Sequence, residues 1–223
     1  MSGTALLQSA RINEPPRDCN LCPRLVAYRA ANREAHPDWF NAPVASFGPF
    51  DASLLIVGLA PGLKGANRTG RPFTGDHAGE LLYATLRRFG LAAGAYRATP
   101  DDGLTLRNCR IANAVRCVPP ANLPEPQEIS NCNQFLASEL QGLHNLKAVL
   151  ALGLVAHAAV LKACGVPATR IRFRHGAIHE LPDGLLLADS YHVSRQNTST
   201  GRLTAEMFAQ AVTALLRRLD APE

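Results

Sequence analysis

Four short apolar runs constrain this chain more than any other feature of it. Leu54-Leu55-Ile56-Val57, Ile111-Ala112-Asn113-Ala114-Val115, Ala148-Val149-Leu150-Ala151-Leu152 and Leu185-Leu186-Leu187-Ala188 are mostly aliphatic, with little polar alternation. That is the pattern of strands buried on both faces. Stretches with helical spacing separate them: His77 to Phe89, stopped by Gly90; Pro126 to Leu140, stopped near Gly142; Leu154 to Cys164, stopped by Gly165 and Pro167. A last helix is expected from Leu203 to Leu219. Strands alternating with helices predict the α/β class: a three-layer α/β/α sandwich around a mostly parallel four-stranded sheet, with right-handed crossovers. The weakly alternating Arg172 to Leu181 adds an antiparallel piece before the fourth strand.

The 223 residues, 47% of them hydrophobic, suffice for one core, and no repeat, low-complexity tract or linker divides them. A single domain over 1–223 is expected. Lys and Arg number 23 against 18 Asp and Glu, a net charge of +5 that leans mildly toward an acidic partner such as nucleic acid. The longest uncharged run, Ala148 to Leu161, is shorter than the roughly 18 residues a bilayer span needs, so no membrane segment is expected. The opening MSGTALLQSARINEPPRDC has neither a basic n-region nor a long apolar stretch. A cytoplasmic monomer with reduced thiols follows as the expectation.

Each expected strand runs straight into a loop of unusual residues: Gly58 to Gly62, Arg116 to Pro120, Gly153, and Ser190 to Asn197. Parallel strands put these loops on one rim, where ligands of open α/β sheets bind. A single crevice is predicted there.

Six cysteines are present. Cys19 and Cys22 form a C-x2-C pair, and Cys117 and Cys132 come from a distant segment. Together they make a closed four-thiolate site, and spacing alone accepts either Zn2+ or a [4Fe-4S] cluster. Such a site would tie down an amino-terminal arm of about residues 1–23, a structural role. Cys109 and Cys164 have no partner at ligand spacing and read as core residues.

The loop after the first strand carries Gly58, Gly62, Gly65, Gly70 and Gly75. Glycines let the backbone approach a ligand closely and its amides converge on an anion or a carbonyl oxygen. The GK[ST] ending and GxGxxG are both missing, which argues against nucleoside triphosphates and dinucleotides. Lys64, Arg68 and Arg71 stand beside the loop and suit phosphate contact. Phe73 is either a core aromatic or a ring offered to a planar ligand.

Gly58-Leu59-Ala60-Pro61-Gly62, the run from Gly65 to Asp76 (GANRTGRPFTGD), Asn113-Ala114-Val115-Arg116-Cys117, the stretch from His192 to Arg202 (HVSRQNTSTGR) and the four spaced cysteines together resemble the uracil-DNA glycosylase superfamily, specifically its family 5. These are the type B enzymes that carry an iron-sulfur cluster. The likeness covers about Cys19 to Arg202.

The resemblance implies a monofunctional DNA repair enzyme that flips a uracil or another deaminated base out of the helix and hydrolyses its N-glycosidic bond. It assigns Phe73 to stacking on the flipped base and Asn113 to reading it, since a side-chain amide both donates and accepts. His192 falls where it stabilises charge on the departing base. Gly58, Ala60 and Gly62 would line the base pocket. Ser194, Arg195, Gln196 and Asn197 would form a loop entering the minor groove, with Arg202 on flanking phosphates. Better-known relatives place Asp, Asn or Glu early in the first motif, whereas this chain has Leu59 and Ala60. Asp76 is then the nearest carboxylate for activating water, and it also stands where it caps the helix beginning at His77. Asn122 is a further candidate for positioning water or sugar. The resemblance favours a structural [4Fe-4S] cluster at Cys19, Cys22, Cys117 and Cys132, with Zn2+ the alternative. A non-catalytic damaged-DNA-binding module on the same fold is the rival reading.

Overall fold

The computed structural model describes residues 12–220, so the arm before Ile12 lies outside the described residues. In chain order the elements are α1 (Pro23–Ala35), β1 (Leu54–Gly58), α2 (Ala66–Thr69), α3 (His77–Arg88), β2 (Ala92–Ala93), β3 (Thr105–Leu106), β4 (Cys109–Asn113), a 3-10 turn (Pro120–Asn122), α4 (Pro126–Gly142), β5 (Ala148–Leu152), α5 (Leu154–Ala163), β6 (Ile178–Glu180), β7 (Leu186–Ser190), α6 (Arg195–Ser199) and α7 (Ala205–Asp220). The main sheet has the order β4-β1-β5-β7-β6, parallel except for β6, which runs antiparallel to β7. β2 and β3 form a separate two-residue ribbon.

Every residue of β1, β4 and β5 is buried, and alternate side chains divide between two layers. Leu54, Ile56, Ile111 and Leu150 meet Leu82, Leu86, Phe208 and Val212 of α3 and α7. Leu55, Val57, Ala112 and Val149 meet Leu136, Ala156 and Val160 of α4 and α5. This is the three-layer sandwich expected, but with five strands in the main sheet rather than four. The additional strand is β6, inside the segment expected to be antiparallel; its three residues are only partly buried or exposed, so they carry no apolar run.

β4 begins two residues earlier than the run Ile111 to Val115 suggests. Its extra residues include Arg110, 3% exposed, whose guanidinium donates to Glu139 and to the Gly48 carbonyl. Arg116, fully buried, donates to the same carboxylate at 3.1 Å and to Ser46 Oγ at 2.6 Å. A buried charge survives only when paired and hydrogen-bonded, and this network hides two arginines where sequence pattern admits none.

Of the expected helices, α4 starts at a capping box in which the Glu125 amide donates to Glu128 Oε2 at 2.7 Å, with Pro126 at the first helical position. α1 is an addition: Pro23 opens it and Cys22 occupies its N-cap position. Its Leu25 packs against Val115 and Phe135. The carboxyl ends of β1, β4, β5 and β7 reach one rim, with Gly58 in register with Asn113 and Leu152 with Ser190. Among the described residues no helix is long and apolar enough to cross a membrane.

Candidate active site

At this rim the glycines have specific duties. A Cβ on Gly58 would stand 2.5 Å from Asn113 Oδ1 and 2.5 Å from Phe73 Cζ, so only glycine lets these two side chains meet over the end of β1. Cβ atoms on Gly62 and Gly65 would press on Asp76 Oδ2. Phe73 itself is held at φ 52°, a left-handed conformation that costs a residue other than glycine about 1–3 kcal/mol. Its surroundings enforce it. Tyr83 Oη donates to the Pro72 carbonyl at 2.6 Å and Tyr96 Oη to the Phe73 carbonyl at 3.2 Å.

Arg71 completes that scaffold, and here the expectation of phosphate contact is corrected. The side chain is buried, 5% exposed, and its two terminal nitrogens grip Asp102 at 2.8 Å each while Nε donates to Thr74 Oγ1 at 2.8 Å. Asp102 is held well below the usual carboxylate range, first by the Arg71 bond. Arg71 is a strut under the Phe73 turn, with no face left for DNA.

Phe73, Asn113, His192 and Asp76 line one cleft of about 570 Å³, together with Ala60, Gly62 and Asn122. The Phe73 and His192 rings lie 6.0 Å apart, tilted by 29°. His192 lies two residues past the end of β7, and its carbonyl accepts from Asn197 Nδ2 at 2.7 Å. Burial pushes its imidazole down to about 4, so it is neutral near pH 7 and offers one N–H and one lone pair. Gly58 stands in strand register with Asn113, whose Oδ1 is buried without a partner among the described residues.

Asp76 precedes α3 in the N-cap position. Burial raises its pKa, and the amides of Gly79 and Ala78 oppose that shift. Its Oδ1 is also buried with no hydrogen-bond partner among the described residues. Two unsatisfied buried oxygens in one cleft are costly unless a ligand or water completes them.

Ser194, Arg195, Gln196 and Asn197 line the cleft mouth. They are not an open loop as expected: Ser194 caps the short α6, accepting from the Asn197 amide at 3.4 Å. Lys64 and Arg68 are exposed outside the cleft lining, with Arg68 Nε on the Lys64 carbonyl at 2.9 Å. Arg202 is exposed, its guanidinium 4.6 Å above the Tyr191 ring. Sequence reasoning missed Leu123, 69% exposed at the cleft mouth. Ala121 and Asn122, just before it, both have positive φ, for which only the preceding Pro119-Pro120 gives any sequence hint.

Cys19, Cys22, Cys117 and Cys132 line one small pocket with Leu25, Val115 and Phe135. Nitrogen donors face three of the sulfurs: Arg29 Nη1 to Cys117 at 3.5 Å, the Arg116 amide to Cys132 at 3.2 Å and Asn131 Nδ2 to Cys22 at 3.8 Å. Burial pushes Cys117 up to about 11 and Cys132 to about 12, so thiolates there need added positive charge. Among the described residues no three such side chains converge on a single metal ion. Cys109 is core, as expected: fully buried, with Sγ donating to the Leu91 carbonyl. Cys164 is only partly buried and packs against the core of α4 and α5.

The profile of the uracil DNA glycosylase superfamily matches residues 45–216. The type-5 uracil-DNA glycosylase of Thermus thermophilus is 46% identical over 200 residues, covering 87% of this chain and 90% of the relative. Those of Pyrobaculum aerophilum and Mycobacterium tuberculosis are 40% and 42% identical, covering 87% and 85% of this chain and 86% and 74% of theirs. A type-4 uracil-DNA glycosylase of Pyrobaculum aerophilum is more distant, at 30% over 162 residues. With its sandwich, its rim cleft and these likenesses, the chain belongs to the uracil DNA glycosylase superfamily and to its type-5 branch.

Proposed function

We propose that this protein is a monofunctional uracil-DNA glycosylase that turns a uracil nucleotide out of the duplex and hydrolyses its N1–C1′ bond, leaving an abasic site for base excision repair. The single observation that carries this reading is the meeting of Phe73, Asn113, His192 and Asp76 in one cleft with two buried, unpartnered oxygens.

Flipping a base costs a few kcal/mol, and stacking on Phe73 returns about 1–3 kcal/mol. Asn113 Oδ1 accepts from the ring N–H of uracil while its amide nitrogen donates to a carbonyl, which satisfies the orphan oxygen. As the glycosidic bond breaks, its electron pair passes to the base. Neutral His192 donates a hydrogen bond to the oxygen where that charge collects, without delivering a proton. Asp76 orients water toward C1′ and takes the proton released as the new C–O bond forms. Among the described residues no lysine lines the cleft, which supports hydrolysis over Schiff-base chemistry.

The four cysteines are assigned to a structural [4Fe-4S] cluster rather than Zn2+. The donors aimed at three sulfurs suit thiolates, and the resemblance of the cysteine pattern to the iron-sulfur type B enzymes favours the cluster over Zn2+. When bound, that group would supply a cross-link between α1, the loop after β4 and α4. Its thiolates accord with a reducing cytoplasm, and the protein is proposed to act as a monomer. The small Ala60 in the cleft lining supports a range beyond uracil, to hypoxanthine and other deaminated or alkylated bases.

Incubation with duplexes carrying uracil, hypoxanthine or ethenocytosine, followed by alkali, tests the reading. Alkali-labile sites at the uracil position are expected. Tight binding to uracil duplex without cleavage would instead make this a damage-binding module.

A further inference from the structure

The segment before β6 (Arg170-Ile171-Arg172-Phe173-Arg174-His175) is not used by the site described above. Because β6 runs antiparallel to β7, with Ile178 opposite Ala188, the chain entering β6 comes in over the carboxyl end of β7, at the same rim as His192. It is fastened there at several points. The Arg174 amide donates to Asp189 Oδ2 at 3.1 Å and the Gly176 amide to the Asp189 carbonyl at 2.8 Å. The Tyr191 amide donates to His175 Nδ1 at 3.2 Å, and the two rings stack 4.8 Å apart.

Exposure alternates along this segment: Arg170, Arg172 and Arg174 are exposed, whereas Ile171, Phe173 and His175 turn inward. Phe173 packs edge-on to His157, 5.8 Å between centroids. His157 in turn bonds Asp189 Oδ1 at 2.7 Å. The arginines therefore stand on a fixed base. Arg202 joins them, since its guanidinium covers the Tyr191 ring that also stacks on His175. Arg71, Arg110 and Arg116 all pair with carboxylates; among the described residues these four do not.

We propose that Arg172 and Arg174, flanked by Arg170 and Arg202, form a phosphate-binding ridge that holds the DNA backbone beside the flipped nucleotide, on the β7 side of the cleft. Arg172 and Arg174 are two residues apart, at most about 6.7 Å along the chain, a reach that matches the separation of successive phosphates on one strand. Such contacts fix register without reading sequence. The inference rests on DNA being the substrate, but its test does not depend on base removal.

Equilibrium binding of a duplex bearing a non-cleavable abasic-site analogue is measured against salt for wild type, R172E/R174E and R107E, the last reversing an exposed arginine at the opposite rim. The ridge variant is expected to bind at least about 10-fold more weakly at low salt, with a log–log salt slope shallower by about 0.9 for each phosphate no longer neutralised. R172K/R174K should keep most of the wild-type slope. If charge reversal lowers the yield of folded protein, Arg172→Ala alone is read the same way, with a slope change of about 0.9. An unchanged slope, or an equal weakening in R107E, overturns the ridge. Failure of wild type to release uracil would overturn the glycosylase reading and leave this comparison intact.

Discussion

Asp76, rather than His192, sets the pH dependence expected near neutrality. Burial raises Asp76 above the ordinary aspartate range, so the folded protein binds its proton more tightly than the unfolded chain does. Stability from this group then falls as pH rises through that window, and ionised Asp76 is a cost the site carries. Asp76→Asn should raise Tm near pH 7 while slowing excision. His192 stays neutral down to about 4, so it adds no ionisation near neutrality. The single-turnover rate of wild type should rise with pH along one acid limb set by Asp76 and then stay flat, and Asp76→Asn should abolish the limb. A bell centred near neutrality would require a different acid and base. Both residues stood out through their motifs, His192 just past the end of β7 and Asp76 at the N-cap of α3. Arg71 was misread because its partner Asp102 is 31 residues away, and a cation seen without its partner looks free.

The elements that pack between two helical layers were the easiest to read, since β1 and β5 are continuous aliphatic runs. β4 was displaced by Arg110, whose counter-charge Glu139 lies on another element. β6 was seen only as weak alternation because its residues are half-exposed. α6 was hidden by its brevity, with Ser194 the only cap. Cysteine spacing forecast a shared site, and the fold gathers Cys19, Cys22, Cys117 and Cys132 at one pocket between α1 and α4. Cys117→Ser should lower soluble yield and abolish visible absorbance in freshly purified protein. A colourless wild type holding one zinc per chain would contradict the cluster assignment.

Across the whole molecule, one rim gathers the groups assigned to the proposed reaction. The parallel sheet delivers Gly58, Asn113 and His192 to it from β1, β4 and β7, and the Arg71–Asp102 strut turns Phe73 over the end of β1. The opposite rim carries none of these groups. The proposed catalysis therefore belongs to one cleft. The most direct test is the single-turnover release of uracil from duplex DNA by His192→Ala and Asp76→Asn, at enzyme concentrations that saturate binding. Removing the His192 donor should slow release about 10²–10³-fold. Asp76→Asn should slow it about 10²–10⁴-fold, the range typical of a missing general base. Wild-type rates in both variants would contradict catalysis by this cleft.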